Sequence, residues 1–199
     1  MAILALDLSK SNTGWAVWKP GWEAARYGSW RLGSEFTSDG QVFCKLHQQM
    51  TDLWKVMPFA SIYFEQAILP ANLSGATNIR ALSLASGLAA HVESFANAMR
   101  CQATAINVST WRKDFIGTDL VKDANAKARA KRKAEGKGSA RDELKRLTIE
   151  RCRQLGFSPR KDDEADALGI LDYSLGFHEQ ITPPWRAQEV LRPMLGGAA

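Results

Sequence analysis

A chain of 199 residues with 45% hydrophobic and 24% charged side chains suits one globular domain with a substantial core. No apolar run reaches membrane-spanning length, and the N-terminus goes straight into a strand-like run. The expectation is therefore neither a membrane segment nor a signal peptide. Cys44, Cys101 and Cys152 are odd in number, far apart and in no CxxC pattern, which argues against a zinc site and suits a reducing compartment.

The net charge of +5 is unevenly distributed. Residues 100–161 hold 17 of the 26 Lys and Arg but only 7 of the 21 Asp and Glu, a local balance of +10 beside an acidic remainder of −5. A basic region on an otherwise acidic body points to a polyanionic partner, most simply nucleic acid.

In chain order, Ile3 to Leu6 is a short continuous apolar run, the pattern of a strand buried on both faces, and Asp7 ends it. Ser9 to Gly14 reads as a tight turn, and Trp15 to Trp18 as the return strand of a hairpin. Ala25 to Leu32 is predicted as a third strand. Ser38 to Met57 has helical spacing through Val42, Leu46, Met50 and Leu53, and Pro58 stops it. Ser61 to Gln66 is another apolar strand that ends in a carboxylate, Glu65. A loop over Pro70 to Gly75 leads to a long helix over Thr77 to Met99, whose small residues around Gly87 permit close packing. Gln102 to Val108 is predicted as a strand, with Ser109 capping a helix over Thr110 to Ile116.

The composition then changes. Between Lys122 and Ser139 no apolar residue is larger than alanine, and basic side chains fall all round any helix drawn through the segment. Such a stretch is expected to be a mobile arm or a helix stabilised by a partner. Asp142 to Leu155 regains an apolar stripe through Leu144, Leu147 and Cys152, and a last helix is predicted over Asp162 to Leu175. Residues 1–182 are thus expected to form one domain with a basic insertion at about 119–139. Residues 183–199, with Trp185 and Pro193, form a tail that the pattern leaves unassigned.

Four acids stand out by position. Asp7 and Glu65 end two apolar strands, and neighbouring parallel strands would bring them together. Asp163 and Asp166 lie three apart on a helix and share a face, although Asp162 and Asp166, four apart, would do so too. Oxygen donors without His or Cys suit Mg²⁺ or Mn²⁺ rather than zinc. Two such ions about 3.5–4 Å apart can clamp the attacking and leaving oxygens of a phosphodiester. Arg112, Lys113, Lys131, Arg132, Lys133, Arg141, Lys145 and Arg146 are candidates to hold backbone phosphates without reading sequence.

The segments LALDLSKSNTGWAV, IYFEQA, INVSTWRKDFIG and DDEADALGI occur in the order seen in RuvC-type Holliday-junction resolvases of the ribonuclease H-like superfamily, and the resemblance spans roughly Ile3 to Leu175. It implies an α/β fold, a five-stranded mixed sheet whose first three strands are antiparallel, flanked by helices. It implies a Mg²⁺-dependent crossover junction endonuclease, with Mn²⁺ able to substitute, that acts on branched DNA as a homodimer in the cytoplasm of a bacterial cell or phage-infected host. Carried over by position, Asp7, Glu65, Asp163 and Asp166 are the metal-holding catalytic residues, with Asp163 preferred over Asp162 by the DxxDAL spacing. The chain departs from the family where Asp7-Leu8-Ser9 replaces the usual Asp-Pro-Gly, where Ile68 and Leu69 stand near the usual aromatic wedge, and in the basic insertion.

Other readings are a less selective branched-DNA or RNA–DNA hybrid nuclease and a non-catalytic DNA-binding protein on the same fold. A sugar-kinase or actin-like ATPase shares the strand–Asp–turn opening but needs a duplicated domain and a Gly-rich adenosine loop. If three or four side chains of residues 122–139 each neutralise a phosphate, replacing the segment with a short Gly/Ser linker removes their contribution. The slope of log affinity against log salt should then fall by about 0.9 for each phosphate that is no longer neutralised on duplex arms. A salt titration of binding, with and without the segment, checks this; an unchanged slope makes the segment a bystander.

Overall fold

The computed structural model describes residues 1–67, 79–136 and 138–189. The expected loop at 70–75, the residues at the wedge position, Lys137 and the end of the tail lie outside the described residues. Five strands form one mixed sheet in the order β3-β2-β1-β4-β5: β1 (Ala2–Asp7), β2 (Thr13–Trp18), β3 (Arg26–Trp30), β4 (Phe59–Glu65) and β5 (Gln102–Ile106). The first three pair antiparallel, and β4 pairs parallel with both β1 and β5. This is the predicted α/β architecture, with no strand bound shifted by more than two residues.

Side-chain alternation along the strands divides the interior into two layers. Leu4, Leu6, Ile62 and Phe64 point to the face covered by α1 (Asp39–Val56) and α2 (Ile79–Met99), meeting Val42, Leu46, Met50, Leu88 and Val92. Ile3, Ala5, Tyr63 and Ile106 point to the opposite face, covered by α3 (Val108–Ile116), α5 (Arg141–Gln154) and α6 (Asp162–Phe177). Because Ile3, Ala5 and Asp7 share a face by period two, Asp7 belongs to the α6 side. Tyr63 and Glu65 share it by the same rule. Helix α6 is buried continuously from Glu164 to Leu175, as expected of a helix clamped between a sheet and other helices.

Several local expectations are corrected. The cap of α3 is Asn107, whose carboxamide oxygen accepts from the Ser109 N–H at 2.9 Å, so the helix starts two residues before Thr110. Ser109 supplies part of that cap instead of being it. Of the two expectations for the basic segment, a mobile arm or a helix, it is a helix: α4 (Thr118–Glu135) begins before it, ends at left-handed Gly136, and packs against α3 and α5 of the chain itself. Val121 and Ala124, three apart on one face, are its buried anchors, while Lys131, Arg132 and Lys133 are exposed. The stretch after 182 forms α7 (Pro184–Glu189), where Trp185 is buried and donates to the buried carboxylate of Asp172 at 2.6 Å. Among the described residues no helix is long and apolar enough to cross a membrane.

Gly14, paired in register with Asp7, marks where α6 meets the sheet. A Cβ at Gly14 would lie 1.8 Å from the carbonyl oxygen of Asp163, so only glycine allows the first turn of α6 to rest on β2 beside Asp7. Gly14→Ala should destabilise the fold by about 1–3 kcal/mol or more, the usual cost of forced overpacking. Denaturant unfolding checks this, and an unchanged midpoint would mean that α6 can stand further from the sheet.

Candidate active site

The site starts from strand pairing. Leu6 and Phe64 are partners in the parallel β1–β4 ladder, so Asp7 and Glu65, one residue further, end adjacent strands on the same face. The carboxyl ends of such strands are where an open sheet offers a crevice. The β1–β2 turn borders it. Where the resembled family has Pro-Gly, the turn is closed here by side chains: the Thr13 hydroxyl donates to the Ser9 carbonyl at 2.7 Å and accepts from the Ser9 N–H at 3.1 Å. The Ser9 hydroxyl bonds both the carbonyl and the N–H of Asn12.

Helix α6 contributes the other acids from its first turns. Asp7, Glu65, Asp163 and Asp166 line one cavity of about 660 Å³, together with Asp162, Arg112, Arg141, Lys145 and, from the turn, Leu8, Ser9, Ser11 and Asn12. All four predicted acids are thus brought to one place. Asp162 is there too, but it is ion-paired with Lys145.

Like charges crowded away from water make the acids hard to ionise. Burial pushes Asp7 well above the usual carboxylate range, and the neighbouring Asp166, Glu65 and Asp163 push it further. Burial likewise raises Glu65 and Asp166, with Arg112 opposing both. Asp163 rises to about 6 through burial and the charge of Asp162. Asp162 goes the other way, because the hydrogen bond and charge of Lys145 outweigh its partial burial.

Helix α3 supplies two groups that hold the acids. The Trp111 indole N–H donates to Glu65 Oε2 at 3.3 Å, and Arg112 Nη2 donates to Asp166 Oδ2 at 2.7 Å. Sequence reasoning places Arg112 among the phosphate-binding candidates and misses Trp111, whose only sign is its place beside Arg112 in STWRKDF. Of the other basic candidates, Arg141 and Lys145 line the acidic cavity. Lys113 faces a separate groove with Thr110, Asp114 and Tyr173, and Arg146 is tied to Glu143 and Glu150 on the outer face of α5. Lys131, Arg132 and Lys133 stand apart from the cavity lining, on α4.

The donor set fits a hard divalent cation: carboxylate oxygens alone, with Asp166 Oδ1 buried and lacking any partner among the described residues. Among the described residues, no three acidic, His or Cys side chains are grouped closely enough to ligate one ion as they stand. Of the cations lining the cavity, Arg112 is the one whose charge lowers the pKa of Asp7, Glu65 and Asp166 alike. A divalent ion entering here would share those oxygens with the guanidinium.

No family model and no curated protein matches the chain. Solved structures do. Thermus thermophilus RuvC in complex with a Holliday junction substrate aligns with a TM-score of 0.59 at 13% identity, covering 90% of this chain and 96% of that one. Another Thermus thermophilus RuvC structure aligns with a TM-score of 0.57 at 14% identity, covering 92% and 99%. The chain therefore has the fold of RuvC.

Because the acids are raised, the folded state holds their protons more tightly than the unfolded chain does. Stability is lost as pH rises through the folded pKa, about 6 for Asp163. Asp7→Asn should thus raise the melting temperature in EDTA at pH 7.5 by a few degrees, and the gain should vanish near pH 4. Added Mg²⁺ should stabilise the wild type more than the variant. Thermal melts over pH, with and without the ion, check both; a variant less stable than wild type in EDTA would contradict the reading of crowded charge.

Proposed function

We propose that this chain, which has the RuvC fold, is a divalent-metal-dependent endonuclease that cleaves branched DNA, with the four-way junction as its substrate. The observation that carries the reading is the convergence of Asp7, Glu65, Asp163 and Asp166 from two parallel strand ends and one helix into a cavity also lined by Arg112, Arg141 and Lys145. A protein that only binds DNA has no use for raised, buried acids facing a polyanion; a metal-dependent hydrolase needs them.

Asp7, Glu65, Asp163 and Asp166 would hold Mg²⁺, or Mn²⁺ in its place. When bound, such ions neutralise the phosphodiester, lower the pKa of the attacking water and stabilise the leaving oxygen. The rest is done by the chain itself. Trp111 orients Glu65, and Lys145 keeps Asp162 engaged, so that Asp163 is the acid of that pair left to act. Arg141 and Lys145 flank the acids, and exposed Lys131, Arg132 and Lys133 extend the positive surface along α4, where they hold phosphates at a distance from the reacting one. One such cavity cuts one strand. Paired incisions in a junction require two, so the reading entails a homodimer on DNA.

The test is Mg²⁺-dependent cleavage of a panel containing four-way junctions, flaps, plain duplex and RNA–DNA hybrid. Preference for the junction supports the full reading; equal cleavage of flaps or hybrid supports a less selective nuclease. Within the panel, Asp163→Asn should be inactive, whereas Asp162→Asn should keep most activity. The reverse would transfer the role to Asp162.

A further inference from the structure

The loop that joins β3 to α1 carries the most exposed large apolar side chain among the described residues, Phe36, at 91%. Phe177, also exposed, stacks on the Tyr173 ring, whereas Phe36 has no ring contact among the described residues. The turn that presents Phe36 is closely built. The Thr37 N–H donates to the Ser34 carbonyl at 3.1 Å, and the Ser34 N–H donates to the Thr37 hydroxyl at 2.9 Å. Lys10, from the β1–β2 turn, donates its Nζ to the Thr37 carbonyl at 2.6 Å, and its own carbonyl accepts from the Gly33 N–H at 2.9 Å. Ser38 then caps α1. A ring held in water by a fixed turn leaves apolar surface unburied, and it can be covered with little further ordering cost.

The surroundings of Phe36 are cationic and continuous with the acid cavity. A groove of about 460 Å³, lined by Ser11, Asn12, Arg31, Ser34, Glu35 and Lys161, shares Ser11 and Asn12 with that cavity. A second groove, of about 390 Å³, shares Arg31 and Ser34 with the first and adds Thr37 and Lys45. Glu35 and Thr37, the chain neighbours of Phe36, line one groove each, so the ring stands on the ridge between them. Lys161 Nζ donates to Asn12 Oδ1 at 2.9 Å, which sets an ammonium where the first groove meets the cavity. Across the two grooves Arg31, Lys45 and Lys161 outnumber the acid, Glu35.

We propose that this loop receives a DNA strand leaving the acid cavity, with Arg31 and Lys161 on its phosphates and Phe36 stacked on an unpaired base. The inference rests on the nuclease reading and names the feature of a branched substrate that the protein grips. Cations that follow a backbone beside an aromatic face are the elements of a single-strand site. Stacking there tolerates any base, because every base has a π-face. Plain duplex keeps those faces inside its own stack, whereas bases at a branch, where strands exchange partners, unstack at little cost. The loop therefore favours a branch over plain duplex without reading sequence. A protein seated on Phe36 is the competing occupant, and the experiment separates the two.

The experiment measures binding of a four-way junction and of plain duplex, with Ca²⁺ in place of Mg²⁺, by wild type, Phe36→Ala and Phe36→Tyr. The ring is almost wholly exposed, so all three should melt at the same temperature. Phe36→Ala should bind the junction about tenfold more weakly, the scale of one lost stacking contact, and the duplex as wild type does. Phe36→Tyr keeps the ring and should match wild type on both. One abasic position near the branch should cost wild type the same factor and cost Phe36→Ala nothing further. Junction binding by Phe36→Ala equal to that of wild type overturns the proposal and leaves the ring to a protein partner. An equal loss on duplex overturns it too, as does a loss that simply adds to that of every abasic position. Arg31→Gln should flatten the log–log salt dependence of junction binding by about 0.7, the value for one phosphate of a single strand. An unchanged slope overturns the path across the groove. The nuclease reading fails separately. A wild type with this base dependence that cuts nothing in the panel supports the strand site and fails that reading; one that cuts junctions with no base dependence does the reverse.

Discussion

The constraint on which the structure turns is the repulsion among carboxylates that the fold itself presses together. Asp7 and Glu65 cannot separate, because parallel pairing of β1 with β4 sets them side by side at the end of one ladder. Asp163 and Asp166 cannot retreat, because α6 is buried along most of its length. The chain answers with one guanidinium, one indole N–H and one ammonium, on Asp166, Glu65 and Asp162. Asp7 receives no such partner among the described residues, and burial together with the neighbouring acids pushes it well above the usual carboxylate range. A divalent cation among these oxygens would relieve that repulsion.

The remaining architecture serves that arrangement. Gly14 lets α6 settle on the sheet, and the Ser9–Thr13 bonds shape the cavity rim. The second core under α1 and α2 fixes β1 and β4 from behind through Leu4, Leu6, Ile62 and Phe64. Trp185 and Arg186 reach back to Asp172 in the middle of α6, so the segment after residue 182 helps to hold the helix that bears the acids.

Much of this is legible in the sequence because its signals are local. Two apolar runs each ending in an acid, and a helix with acids three apart, need only periodicity to be found. Helix α1 is legible from its spacing and its cap: the Ser38 hydroxyl accepts from the Gln41 N–H while the Gln41 side chain accepts from the Ser38 N–H. What escapes depends on contacts distant in sequence. Nothing in Trp111 alone says that it meets Glu65, and nothing in Asp162 says that Lys145, seventeen residues earlier, will claim it. The packing of α4 on its own chain escapes because the change in composition begins at Lys122, one residue after the anchoring Val121. Asn107 and Ser109 both suit a cap, and only the backbone shows that the helix starts at Val108.

The central claim is that these acids form a divalent-cation site, and the most direct test is a crystal grown with Mn²⁺ and read by anomalous diffraction. Anomalous density is expected within ligation distance of Asp7, Glu65 and Asp166 Oδ1, with Arg112 still on Asp166 Oδ2. Absence of density at saturating Mn²⁺, with the carboxylates ordered and Arg112 closed onto both oxygens of Asp166, would contradict it.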